Sequence, residues 1–218
     1  MTDASPALLL SRVGPASRRE QLLTVAARLF ALRGFAGVTM DEIGAAAGMS
    51  GPALYHHFAG KEAMLGEMLI SISDHLHRQG AAISTLSASA QERIEALIRG
   101  HVAFAVQHPE LITVHFRDLV HTSESDRHHV RVLQASYVQH WVDALQATDA
   151  GLDTAVLRPA VHAVLGLINS TPFSASADEV QTSEMLRSMA TGALLALPTT
   201  APATTPAAVR ADKTTNGS

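Results

Sequence analysis

The feature that most constrains this chain is the punctuation of residues 17–60, where helix starts and stops follow one another at short intervals. SRRE at residues 17–20 and TMDE at 39–42 both have capping-box spacing, in which the first side chain accepts from a free backbone amide and the glutamate reaches back. Gly34 and Gly48 stand where left-handed helix stops are expected. Two helices are therefore predicted, and the second has only about two turns.

A third helix is predicted directly after the second. Ser50 is a further N-cap candidate, and Pro52 is tolerated in a first turn because no amide there needs an intrahelical partner. This helix is expected to run to about Phe58. The tight turn at residues 48–50 then makes helices two and three a helix-turn-helix, on which helix one packs.

The run MSGPALYHHFAGKEAML, residues 49–65, places two histidines side by side in this third helix. His56 and His57 are about 100° apart on the helical wheel, which makes joint chelation of one metal ion difficult. Tyr55 and His56 are instead expected to point outward toward phosphate oxygens, while Leu54 and Phe58, spaced i and i+4, turn inward.

These residues resemble the signature of the TetR/AcrR family of bacterial transcription regulators over roughly residues 18–66. The positions that carry the resemblance, in order and at matching spacing, are Thr39, Ile43, Ala46, Ala47, Gly48, Ser50, Leu54, Tyr55, His57, Phe58, Lys61, Glu62 and Leu65. The resemblance implies an all-α homodimer that binds a double-stranded DNA operator. It also implies that the dimer releases the operator when a small-molecule effector of unknown identity enters the larger C-terminal domain.

Three phosphate contacts follow from this resemblance. Thr39, at a helix start, would meet one phosphate, Tyr55 a second, and Lys61, at the head of helix four, a third. Helix starts suit anions because free amides and the helix dipole point toward them. His56 is a candidate for a phosphate or a base edge, and a merely exposed histidine is the alternative.

The start of the third helix, residues 50–53, contains no Arg, Asn or Gln that could make a bidentate contact to guanine or adenine. Pro52 and Ala53 are therefore expected to meet thymine methyl groups, while Ser50 and Gly51 allow close approach to the DNA. DNA shape would supply much of the specificity. The alternative is that Gly51 and Pro52 only shape the helix start.

Composition limits what the rest of the chain can be. The 218 residues are 47% hydrophobic and only 4% aromatic, and valine and isoleucine do not alternate with polar residues over any long stretch, which favours helices. Without cysteine there is no disulfide or thiolate metal site. The first residues are too little apolar for a signal peptide or a membrane span, so a soluble cytoplasmic protein that does not act at a membrane is expected.

Charge is distributed unevenly along the chain. The net charge is −4, yet residues 1–61 carry six basic and four acidic side chains, a balance of +2. This asymmetry suggests a small, mildly basic N-terminal unit on a larger acidic one. The expected organisation is a flexible tail at 1–16, a three-helix DNA-binding helix-turn-helix domain at 17–60, a helical effector-binding and dimerisation domain at 61–197, and a disordered tail at 198–218.

Helical periodicity continues through the second domain. Helix four is expected to run from the DNA contact to about Leu76, before a small and polar stretch at residues 80–90. Further helices are predicted at 91–107, 110–121, 124–147, 154–168 and 178–197. The last two are apolar on more than one face. In the resembled family such helices form the dimer interface, and core packing is the other explanation of the composition.

The effector site can be predicted only as a set of candidates. The apolar and polar residues proposed to line a cavity, together with arginines that could hold an anionic headgroup, are His101, Phe104, Phe116, Arg117, Arg131, Tyr137 and Trp141. HAVLGLINSTPFS, residues 162–174, looks similar to regulators whose ligands include fatty acyl thioesters. A hydrophobic or acyl-CoA-like effector is therefore the hypothesis, with no bound cofactor.

Two other classes of function compete with this interpretation. A metal-responsive regulator with the same DNA-binding unit would use histidines such as His75 and His77, or the pair at 128 and 129. A helical enzyme would use histidines for acid-base chemistry. No cysteine nucleophile, glycine-rich phosphate loop or HExxH pair accompanies them, so an enzyme is not expected.

Overall fold

The computed structural model describes residues 17–149, 152–173 and 178–197. Within these ranges the chain is all α-helical, without a β-strand. The helices are α1 Arg18–Arg33, α2 Met40–Ala46, α3 Gly51–Tyr55, α4 Lys61–Ser84, α5 Ala90–Gln107, α6 Pro109–Asp118, α7 Glu124–Gln146, α8 Thr154–Ile168 and α9 Glu179–Leu195, with short 3₁₀ turns at Leu119–His121 and Thr171–Phe173. The two tails predicted at 1–16 and 198–218 lie outside the described residues.

The first two predicted helix starts are confirmed in atomic detail. Ser17 and Thr39 each accept from the amide of the glutamate three residues on, and each glutamate carboxylate accepts from the cap residue's own amide. Gly34 and Gly48 follow α1 and α2 with φ of 78° and 68°, values that residues with a Cβ rarely adopt. Local sequence thus fixes both boundaries of α1 and the turn after α2.

Helices α1 to α3 share one small core. Phe30, Ile43 and Leu54 are fully buried, and Phe58 is almost fully buried. The predicted helix-turn-helix is therefore present, with α1 packed across it. Helix α3 is shorter than predicted, because it ends at Tyr55 and continues to Phe58 only as a turn.

Helix α4 continues past the point where the sequence predicted its end. Gly80 lies inside the helix, and a Cβ added there would be 2.9 Å from the ring of His140 on α7. The glycine therefore lets α7 approach the backbone of α4, and it does not interrupt the helix. As a result α4 extends unbroken from the helix-turn-helix into the second domain.

The remaining helices form a bundle around α4. Helix α7 packs along α4, α5 packs against α9, and α8 lies against both α7 and α9. The side chains of Asp153 and Asp178 cap α8 and α9. Pro109 lies just beyond the end of α5 and occupies the first turn of α6, where its missing amide costs nothing. None of the described helices is both long enough and apolar enough to cross a membrane.

Candidate functional site

The first surface of interest is the exposed side of α3. Ser50, Pro52, Tyr55 and His56 are exposed, and Tyr55 retains 56% of its accessible surface. Leu54 points inward and is fully buried. The apolar face of this short helix therefore holds it on the core, while its polar and small residues remain available to a partner.

Ser50 occupies the N-cap position of α3 but does not cap the helix with its side chain. The predicted third cap is in this respect wrong. The carboxylate of Asp41, on α2, lies beside the start of α3. A Cβ placed on Gly51 would be only 1.8 Å from the Asp41 Oδ1 atom. Helices α2 and α3 also meet closely at Gly44, where an added Cβ would be 3.1 Å from the carbonyl oxygen of Met49.

Thr39 is exposed at the start of α2, but its donors already have a partner. Its amide and its hydroxyl each donate to Oε2 of Glu42 over 2.8 Å. The Thr39 amide and hydroxyl, together with Arg33, lower the pKa of Glu42 to about 2. Since an anion at this helix start would meet the same donors, it would have to displace the Glu42 carboxylate.

Lys61 also has partners inside the protein. Its Nζ atom donates to the carbonyl oxygens of Phe35 and Val38, over 3.0 Å in each case, and lies 4.5 Å from the centre of the Phe35 ring. These bonds tie the head of α4 to the loop between α1 and α2. The side chain predicted to meet a phosphate thus has a structural attachment that the sequence did not reveal.

Two arginines at the start of α1, Arg18 and Arg19, connect the helices of this unit. Arg18 donates to the carbonyl oxygen of Ala47 over 2.7 Å, at the end of α2. Arg19 lies 4.0 Å above the Phe58 ring and forms an ion pair with Glu67 of α4, which raises the pKa of the guanidinium. The sequence places both arginines next to the first capping box. It does not indicate their partners, which are far away along the chain.

The second site is a cavity of about 360 Å³ within the bundle, a size typical of small-ligand pockets. Helices α4 to α8 all contribute to its wall. The lining residues are Leu69, Ile72, Ser73, Leu76, His101, Phe104, Leu111, Ile112, His115, Phe116, Gln134, Tyr137, Val138, His162, Leu165, Gly166 and Asn169. Among these described residues there is no Asp, Glu, Lys or Arg.

A hydrogen-bonded chain of three side chains forms one polar region of this wall. Asn169 Oδ1 lies 3.1 Å from Nε2 of His101, and the Tyr137 hydroxyl lies 3.2 Å from Nδ1. An amide oxygen only accepts, so Nε2 carries the ring proton and Nδ1 accepts from Tyr137. Burial lowers the pKa of His101 to about 4, which keeps the ring neutral near pH 7.

A second polar pair lies on α6 and α7. The Gln134 amide donates to Nε2 of His115, and burial lowers the pKa of this histidine as well. The two polar regions of the wall are therefore uncharged near neutral pH. Most of the other lining residues are apolar, so the cavity has a mostly hydrophobic interior.

Four of the seven effector candidates line the cavity, namely His101, Phe104, Phe116 and Tyr137. The other three are placed elsewhere. Trp141 is fully buried and meets the His101 ring edge-on from outside the cavity wall. Arg131 is exposed on α7, and Arg117 bonds to the end of α1. Within the described ranges, no arginine lines the cavity to hold an anionic headgroup.

Several polar lining residues were not assigned to the cavity from sequence. Each of them has an apolar residue three or four positions away, on the same side of its helix. These residues are Gln134, His115, His162 and Asn169. The spacing can be recognised in the sequence. It identifies the buried face of a helix, but not which buried positions surround a void.

The histidines do not assemble into a metal centre in the described part of the chain, where no group of three or more His, Asp or Glu side chains is placed to hold an ion. His77 and His140 stack their rings, with 3.3 Å between Nδ1 of His77 and Nε2 of His140. Two imidazoles alone do not make a metal site of the kind that proteins use, which has three or more protein ligands.

Two family descriptions match the sequence. Residues 22–68 match "Bacterial regulatory proteins, tetR family", and residues 87–173 match "Tetracyclin repressor-like, C-terminal domain". The chain is also 32% identical over 145 residues to the HTH-type transcriptional repressor KstR2 of Mycobacterium tuberculosis, which covers 66% of this chain and 70% of that protein.

Solved structures agree with the fold. The structure of the ketosteroid transcriptional regulator KstR2 of Mycobacterium tuberculosis superposes with a TM-score of 0.72 at 22% identity. The superposition includes 84% of this chain and 96% of the KstR2 chain. AibR, solved in complex with isovaleryl coenzyme A and operator DNA, superposes with a TM-score of 0.65 at 23% identity, covering 79% of this chain and 97% of its own.

Proposed function

The chain belongs to the TetR family of bacterial transcriptional regulators, and from that membership we propose a ligand-responsive repressor that binds a palindromic operator as a homodimer. A small hydrophobic or acyl-CoA-like effector would enter the cavity and release the operator. The observation that carries the proposal is the pairing of an exposed recognition helix with a separate cavity, joined by one continuous helix, α4.

The proposed DNA contacts come from the exposed side of the helix-turn-helix. They are Thr39, Ser50, Gly51, Pro52, Ala53, Tyr55, His56 and the head of α4 at Lys61. In a helix-turn-helix, the first residues of the second helix meet base edges in the major groove. Tyr55 and His56, which follow this turn, suit the phosphate backbone.

Because Lys61 holds its ammonium group on two carbonyls, we assign the phosphate contact at this point to the free amides of the first α4 turn. The ammonium then keeps its internal partners and does not contact the phosphate itself. Thr39 reaches a phosphate in this proposal only after Glu42 turns away.

For the effector, the neutral wall favours an uncharged and largely apolar group inside the cavity. A charge buried here would have no ionic partner, and burial without one is costly. An acyl-CoA ligand would therefore insert its acyl chain and leave its phosphates outside. AibR was solved with isovaleryl coenzyme A, and KstR2 is named as a ketosteroid regulator, which are both compatible with such a wall.

Dimerisation is proposed through the outer faces of α8 and α9. Met185, Met189 and Leu195 on α9 are 47%, 50% and 74% exposed, an unusual density of exposed apolar surface. Gly192, one turn after Met189, has open space where a Cβ would be. A small residue beside the exposed methionines allows two helices of a second copy to pack closely in an isologous four-helix interface.

Operator binding is tested by selecting bound duplexes from a random DNA library with the purified protein. Enrichment of a palindrome whose half-sites are spaced for two recognition helices about 34 Å apart is the expected result. A folded, dimeric protein that enriches no motif would contradict the proposal.

The effector is tested with a panel of acyl-CoA thioesters and neutral sterols, measured both by thermal stabilisation and by operator release. Ser73→Leu narrows the cavity from α4 and should abolish both responses. Ser136→Leu is the matched control, since each serine donates to the carbonyl four residues earlier but Ser136 lies outside the cavity. Equal responses in both variants would remove the cavity as the effector site.

A further inference from the structure

The position of Asp41 has a consequence for sequence recognition. This residue is exposed on the first turn of α2, and its carboxylate lies against the backbone of Gly51, the first residue of the recognition helix. The carboxylate occupies the place where a side chain on residue 51 would project. The first turn of α3, residues 50–53, has no charged or amide side chain of its own.

Asp41 forms no ion pair with any residue of the described ranges, and the two arginines nearest the helix-turn-helix turn have other partners. Arg33 on α1 is paired with Glu42, over 2.8 Å, and Arg18 donates to the carbonyl of Ala47. Neither arginine therefore competes with a DNA base for the Asp41 carboxylate, which lies next to the turn that meets base edges.

We propose that Asp41 is a specificity-determining residue that accepts a hydrogen bond from the N4 amino group of cytosine in the major groove. Cytosine presents only a donor there, whereas guanine presents two acceptors and thymine one, which would repel a carboxylate. Adenine presents a donor beside an acceptor and is disfavoured for the same reason. The proposal rests on operator binding, and it adds a polar contact to a recognition surface otherwise made of small and apolar residues.

Gly51 has a role in this arrangement. An added Cβ would be 1.8 Å from Asp41 Oδ1, so Gly51→Ala must push the carboxylate aside. The obstacle is the end of a flexible side chain, and α3 tolerates alanine, so this variant should still fold. Gly51→Ala and Asp41→Ala should therefore disturb recognition at the same base pair.

The test selects duplexes with wild-type protein, Asp41→Ala, Asp41→Asn and Gly51→Ala. Wild type should require cytosine at one symmetric position of each half-site, with a preference of about tenfold over the other bases. Asp41→Ala and Gly51→Ala should lose the preference at that position alone. Asp41→Asn should shift it toward adenine, to which an amide can bond in two places.

Glu124→Gln is the control, since it removes an exposed carboxylate from the first turn of α7 and should leave the selected motif unchanged. If wild type and the Asp41 variants select the same motif, the inference fails while operator binding stands. The inference also fails if Asp41→Ala tightens binding to all DNA equally, which would mean that the carboxylate only repels phosphates. It fails as well if Asp41→Ala lowers the melting temperature and leaves the base preference unchanged. If wild type selects no motif, operator binding fails and the inference fails with it.

Discussion

Arg117, on the last turn of α6, donates through Nη1 to the backbone carbonyl oxygen of Ala31 on α1 over 3.1 Å. The same guanidinium also bonds to the Phe30 carbonyl, and it pairs with Asp118 over 3.0 Å. Helix α6 lines the cavity through Phe116 and its neighbours. A side chain of α6 thus bonds to two backbone carbonyls near the end of α1, and so connects the cavity wall to the helix-turn-helix unit.

Replacing Arg117 by alanine should destabilise the protein by about 2 kcal/mol, because it strands the buried Asp118 carboxylate without its partner. Arg117→Ala combined with Asp118→Asn should recover roughly 1 kcal/mol, since an amide costs less to bury than a charge. Urea unfolding measures both. Arg99→Ala, which removes an exposed pair with Glu95, should change stability by less than about 0.5 kcal/mol. Equal stability of the single and double variants would contradict the explanation.

The neutral His101 ring should make stability depend on pH. Its pKa is about 4 in the folded protein against an ordinary value of 6.5, so between these values the unfolded state binds the extra proton. Stability should therefore fall as pH drops from about 6.5 to about 4, by on the order of 3 kcal/mol from this residue. His101→Gln keeps a hydrogen-bonding group but cannot titrate, and should lose that part of the dependence. His128→Gln, an exposed control, should retain it, and identical slopes for both variants would exclude His101.

The elements that the sequence predicted well depend on residues close together in the chain. Both N-terminal capping boxes join residues three apart, and Asp153 and Asp178 cap through amides two residues on. The left-handed glycines are equally local. Each of these features involves residues within one helical turn of each other. This explains why most helix boundaries were predicted within a few residues.

The features that could not be predicted from the sequence depend on contacts between residues far apart along the chain. Gly80 resembles a helix end until α7 is placed against it, and Lys61 resembles a free cation until the Phe35 and Val38 carbonyls are placed beside it. His101 meets Asn169 across 68 positions. Without the packing of the helices, neither the cavity nor its neutral polar chain follows from periodicity.

The two carbonyl bonds of Lys61 lead to an expectation about salt dependence. Lys61→Ala should lower the melting temperature, because the loop between α1 and α2 loses its attachment to α4. The slope of log affinity against log salt should change by less than about half a unit, since the ammonium does not neutralise a phosphate directly. Fluorescence anisotropy with operator DNA at several salt concentrations measures the slope. A change of about one unit, with unaltered melting, would restore Lys61 as a direct phosphate contact.

The exposed methionines of α9 predict how the protein associates. Met189→Arg places a charge in the centre of the proposed interface, where an isologous contact would bring two copies of it together, so the variant should be monomeric at micromolar concentration. Val132→Arg on α7 is the control, because Val132 is 48% exposed against 50% for Met189 but lies outside the proposed interface. Light scattering coupled to size-exclusion chromatography distinguishes the two states. Loss of the dimer in Met189→Arg should also remove the preference for palindromic over half-site DNA, because one recognition helix reads only half an operator. A dimeric Met189→Arg, or a monomeric Val132→Arg, would place the interface on another face of the bundle.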